Sequence, residues 1–110
     1  MEFQVKLTGN AKREIETAYL WLKQSNPVYA DQWFRSLMNS IATLQDKPRR
    51  CALARENDDF PEEIRQLIFG KSRSKYRIIF TIIDDIVYVI YLRHSSQSSI
   101  LFNVLDWDLE

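Results

Sequence analysis

The sequence predicts an α+β fold: a short strand, an antiparallel helical hairpin, then three strands. Three observations predict it. Residues 4–7 alternate polar and apolar side chains, the period-two pattern of a strand. Apolar residues then recur every three or four positions along two stretches separated by Pro27, as on two amphipathic helices. Beyond residue 63, runs rich in Ile, Val and aromatics follow one another, broken by Gly70 and by Asp84-Asp85.

The first strand, Gln4 to Leu7, is broken by Thr8-Gly9-Asn10. Thr8 and Asn10 are both helix N-cap types, whose side-chain oxygens accept from the free N–H groups of a first turn. From Ala11, the set Ala11, Ile15, Ala18, Tyr19 and Leu22 lies on one helix face. This helix should stop near Ser25-Asn26, because the residue before Pro27 is pushed out of helical geometry. A second helix runs from about Pro27 to Gln45, with the proline suited to its first turn. Its stripe of Ala30, Trp33, Phe34, Leu37, Met38, Ile41 and Leu44 reads as core packing, and at 1.5 Å per residue it spans about 28 Å. The short link makes the two helices an antiparallel hairpin.

Residues 46–62 read as a loop with little periodicity, holding Pro48, Arg49, Arg50, Asn57, Asp58, Asp59 and Pro61. A loop of about 17 residues is long for a compact domain, and such loops often carry function. Strands follow at Ile64 to Phe69, Tyr76 to Ile83 and Ile86 to Arg93. Asp84-Asp85 supplies the turn between the last two, which should pair antiparallel. After His94 comes the polar break Ser95 to Ser99. The segment 98–110 is an apolar C-terminal tail with Ile100, Phe102, Val104 and Trp107.

At 110 residues the chain is expected to be a single domain, 1–110. Fifteen Lys and Arg balance fifteen Asp and Glu, which argues against a surface coated throughout for nucleic acid or anionic lipid. One cysteine, Cys51, excludes an internal disulfide and any all-Cys metal site, and one histidine, His94, excludes a Cys2His2 zinc site. No metal and no cofactor is expected. The first residues lack the basic and apolar regions of a signal peptide. No apolar run approaches the roughly 20 residues of a membrane span. The expected location is the cytoplasm, with no membrane partner.

Two glycines cannot line a phosphate loop, and no HExxH pair is present. Ser95 and Ser96 adjoin His94 without the setting of a nucleophile elbow. The informative feature is charge placement. Arg65, Lys71, Arg73, Lys75 and Arg77 follow one another with no acidic residue between them, and Arg93-His94 closes the next strand. Such a cluster can clamp phosphate or stabilise a charged transition state. It can equally blunt an exposed strand edge. His94 can act as a general acid or base. Whether Arg65 and Arg77 share a face depends on strand register.

The whole layout resembles the RelE/ParE superfamily of bacterial type II toxins, over about residues 3 to 97. The resemblance is carried by Arg65-Gln66-Leu67-Ile68-Phe69-Gly70, by Lys75-Tyr76-Arg77-Ile78-Ile79-Phe80, and by Val87-Tyr88-Val89-Ile90-Tyr91-Leu92-Arg93-His94. Leu44 and Pro48 also fit the superfamily's exit from the second helix. The resemblance implies a helical hairpin packed on one face of an antiparallel sheet. It also implies a cognate antitoxin that folds as it wraps the toxin, by groove and strand-edge recognition. Arg73, Lys75, Arg93, Phe102 and Trp107 are the candidates for antitoxin or target contact.

Two activities occur in the superfamily. RelE-like members are ribosome-dependent RNases that cleave messenger RNA by attack of a ribose 2′-hydroxyl. For that branch the resemblance implies Arg77, His94 and Arg65 as the catalytic set, without a metal. ParE-like members inhibit DNA gyrase and carry no nuclease chemistry. Neutral charge and the absence of a tyrosine after the last strand favour the ParE-like branch. His94 does not discriminate, and Ser95-Ser96-Gln97 stand where a ParE-like toxin often has arginine.

Overall fold

The computed structural model describes residues 2–71 and 73–95. The tail positions Phe102 and Trp107 lie outside the described residues. The elements are β1 (Gln4–Leu7), α1 (Gly9–Ser25), α2 (Pro27–Ala42), β2 (Ile64–Phe69), β3 (Tyr76–Ile83) and β4 (Ile86–His94). Short 3₁₀ turns stand at Thr43–Gln45, Pro48–Arg50 and Asn57–Asp59. The expected second helix is thus α2 plus a tightened last turn, and the 46–62 connection contains two such turns.

The sheet order is β1-β4-β3-β2. β2, β3 and β4 form the antiparallel meander, while β1 joins β4 in parallel, Gln4 beside Ile86 and Leu7 beside Val89. Asp84 makes the β3–β4 turn in two residues by adopting φ 57°, a left-handed conformation that aspartate tolerates better than most side chains. β4 carries a bulge: Ile79 faces Tyr91 and Phe80 faces Val89, so Ile90 is the extra residue.

The bulge coincides with the end of β1. Beyond Val89 the edge of β4 is met by α1 instead of a strand. The Thr8 hydroxyl and the Asn10 amide reach the Ile90 carbonyl at 3.5 and 3.0 Å, and the Glu14 carboxylate accepts the Leu92 N–H at 2.9 Å. Thr8 also caps α1 by accepting from the Ala11 N–H at 3.1 Å. Asn26 caps α2 in the same way from Tyr29, directly before Pro27.

The helices cover one face of the sheet. Ala11, Ile15, Trp33, Leu37, Ile41 and Leu44 pack on Ile78, Phe80, Ile82, Val87, Val89 and Leu92. The stripe expected to form the core does so, except that Phe34 remains well exposed. A second, smaller cluster lies on the opposite face, where Ala54 and Phe60 of the 46–62 connection pack on Ile64, Ile79, Ile90 and Tyr91. That connection is held as a partial fifth strand by Leu53, which bridges Arg65.

Candidate functional site

β3 pairs Arg77 with Ile68 on one side and with Arg93 on the other. Partners directly opposite in a sheet share a face, so Arg77 projects from the face the helices leave open. The 46–62 connection crosses that face and brings Glu56 to it. Arg77 Nη1 and Nη2 donate to the two Glu56 carboxylate oxygens at 3.0 and 2.7 Å, and Nε donates to Gln66 Oε1 at 2.8 Å. Arg77 is 4% exposed and Glu56 is 3% exposed. This is a buried, bidentate ion pair, the strong form of the interaction.

Burial alone would push the Glu56 carboxyl up. The hydrogen bonds from Arg77, one from its own backbone, and the charges of Arg77 and Arg55 outweigh it and hold the group below its ordinary value. Glu56 is therefore a carboxylate at neutral pH, and it neutralises the guanidinium that it faces.

The other two residues of the expected catalytic set stand elsewhere. Arg65 pairs with Phe80, so it projects from the helix-covered face, opposite to Arg77. Its guanidinium bonds Glu63 at 2.5 Å and the Cys51 carbonyl at 2.5 Å, fastening the start of the 46–62 connection. His94 pairs with Tyr76, next to Arg77 in register but on the other face. There its ring packs edge-on against Tyr76 at 5.1 Å, and Tyr76 in turn packs on Trp33 at 5.3 Å. Arg65, Arg77 and His94 do not converge on one point.

Arg93 reaches around the edge of β4 to Glu14 at 2.9 Å, with its guanidinium over the Tyr91 ring. Arg73 and Lys75 are exposed in the turn between β2 and β3, without an ion pair among the described residues. Cys51 is buried, and that burial raises its thiol pKa despite the lowering effect of Arg50 and Arg65, so it is not an activated nucleophile. Among the described residues, no group of three His, Cys, Asp or Glu is placed to hold a metal. No helix among them is long and apolar enough to cross a membrane.

The sequence reading missed Glu56 and Glu14 as the partners of the two strand arginines. Glu56 lies in an acidic run 21 residues before Arg77, and no local pattern ties the two. A surface concavity of about 510 Å³ lies along the helical hairpin. Its walls are Leu7, Ile15, Tyr19, Phe34 and Met38, and its rim carries Lys12, Glu16, Asp31 and Arg35. An apolar groove with a mixed-charge rim suits an amphipathic segment.

Comparison with known proteins bears on the family and the fold. The family described as ParE toxin of type II toxin-antitoxin system, parDE, matches residues 5–99. A chain of the chromosomal ParDE TA system from P. aeruginosa superposes with TM-score 0.67 at 15% identity, covering 84% of this chain and 96% of that one. A double arginine-to-alanine mutant of the E. coli toxin RelE in the free state superposes with TM-score 0.53 at 18% identity, covering 89% and 88%. No curated protein matches.

Proposed function

The chain belongs to the ParE toxin family of type II toxin–antitoxin systems, and on that premise we propose that it inhibits DNA gyrase and is neutralised by a cognate antitoxin. The observation that carries the gyrase reading over an RNase reading is the Arg77–Glu56 pair. A ribosome-dependent RNase uses its strand arginine to neutralise charge that develops on the scissile phosphate. Here that arginine is buried and already neutralised by a carboxylate. His94 and Arg65 are held on the other face by a ring contact and by Glu63, away from any common point. The chain acts by recognition rather than by bond chemistry.

The groove along the helical hairpin is the seat proposed for the antitoxin. It offers an apolar floor for one face of a partner segment and charges of both signs along the rim. A segment that orders only on binding can wrap such a surface.

Purified chain is added in excess to gyrase and relaxed plasmid, and supercoiling and cleaved DNA are followed on a gel. Loss of supercoiling with accumulation of cleaved plasmid is the expected result. Normal supercoiling, together with messenger RNA cut in programmed ribosomes, would overturn the reading in favour of the RNase.

A further inference from the structure

We infer that the turn between β2 and β3, together with the N-terminal half of α2, is a seat for the phosphate backbone of duplex DNA. The inference deepens the gyrase reading and rests on it, since gyrase works on duplex DNA.

Neutral net charge hides an uneven distribution. The fold gives Arg49 and Arg65 to Glu63, Arg55 and Arg77 to Glu56, and Arg93 to Glu14. Arg50 is turned onto the carbonyls of Thr43, Asp46 and Lys47. Lys71, Arg73 and Lys75 are left exposed within five residues, with no ion pair among the described residues and no acid in their own turn.

The backbone on either side of the cations is tied down. Gly70 takes φ +102°, and a Cβ there would lie 2.2 Å from the Ser74 carbonyl oxygen. The Ser74 N–H closes the turn on the Lys71 carbonyl at 3.0 Å, and the Ser95 N–H binds the Lys75 carbonyl at 2.8 Å. These bonds tie the backbone at Lys71 and at Lys75, on either side of Arg73.

The neighbouring surface has the same character. A concavity of about 480 Å³ lies between the turn and α2, with Tyr29, Gln32 and Ser36 on one wall and Lys71 and Ser74 on the other. None of its lining residues is acidic. The single carboxylate of α2, Asp31, faces away and accepts the Tyr19 hydroxyl at 2.5 Å. Hydroxyl and amide donors beside cations are the set that contacts phosphate and sugar without reading sequence. An acidic polypeptide would use the cations but gain less from that ring of donors, so the duplex is the favoured partner.

The test uses the chain alone, with no gyrase, and a fluorescent 20-base-pair duplex of mixed sequence followed by anisotropy from 50 to 200 mM salt. Three phosphate contacts predict a log–log salt slope of about −2.7, which is about a 40-fold loss of affinity over that range. The triple variant Lys71→Ala, Arg73→Ala, Lys75→Ala should bring the slope close to zero. Lys6→Ala, Arg13→Ala, Lys23→Ala changes net charge equally, away from the turn, and should keep it. No binding at 50 mM salt, or equal losses in the two triple variants, overturns the inference. Equal competition by polyglutamate at matched charge overturns it too, in favour of an acidic protein partner, and tighter binding of an RNA hairpin than of the duplex overturns it in favour of RNA. None of these outcomes bears on the supercoiling assay, so the gyrase reading stands or falls separately.

Discussion

Arg77 and Arg93 stand directly opposite each other on neighbouring strands, and each turns to a different carboxylate, Glu56 for the first and Glu14 for the second. Like charges at facing sheet positions repel. The fold meets that cost by drawing one acid from the 46–62 connection and another from α1. Two segments distant in sequence are thereby fastened to the same strand pair.

Removing one partner of the buried pair should be costly. Glu56→Gln keeps the shape but leaves the Arg77 charge without its counter-ion at a site only 4% exposed. A loss of about 3–5 kcal/mol is expected, read as a lower midpoint in urea unfolding. Glu56→Leu combined with Arg77→Met should cost less than Glu56→Gln alone, because no uncompensated charge remains. A double variant as unstable as the single one would show that packing, not charge, dominates this site.

The same pair sets a pH dependence. The folded-state pKa of Glu56 is held below its usual 4.5. A depressed carboxylate contributes stability that is complete above the unfolded value and is lost as pH falls through the folded one. Native protein and Glu56→Gln should therefore differ most at pH 7, with the gap narrowing below about pH 4.5. Urea titrations at pH 7 and pH 3 measure it, and an unchanged gap at pH 3 would contradict the assignment.

Gly70→Ala should destabilise the β2–β3 turn. Its backbone lies at φ +102°, and the added carbon meets a backbone oxygen rather than a flexible side chain. A cost of about 1–3 kcal/mol is expected. Thermal unfolding should show a Tm lower by several degrees, and an unchanged Tm would mean that the turn rearranges freely.

Much of the fold was legible because local pattern and tertiary role agree. Leu37 and Ile41 follow the helical period and are buried. Pro27 and Asn26 mark the boundary between the helices that the sequence placed there. The bulge at Ile90 was not legible, since Val87 to Leu92 is apolar almost throughout and carries no alternation to reveal a slipped residue. Register hid the site for a related reason. Arg65 and Arg77 look alike in the sequence, and only pairing puts them on opposite faces. Glu56 stands in an acidic run that can supply a base beside the cations, but nothing in that exposed-looking run announces its burial against Arg77. Thr8 and Asn10 are both cap types, but only Thr8 caps α1, while both reach the Ile90 carbonyl.

The parallel pairing of β1 with β4 places two segments far apart in sequence side by side, Gln4 next to Ile86. On a ribosome the two are made well apart in time. At about 5–20 residues per second, the 82 positions between them take roughly 4–16 s. Within that interval the helical hairpin is complete before the strands that will cover Leu37 and Ile41 are made. The Thr8, Asn10 and Glu14 groups that will seal β4 are likewise waiting for it. A nascent chain of this fold therefore carries uncovered apolar surface until β4 emerges, and completing that strand closes the sheet and the helix layer together.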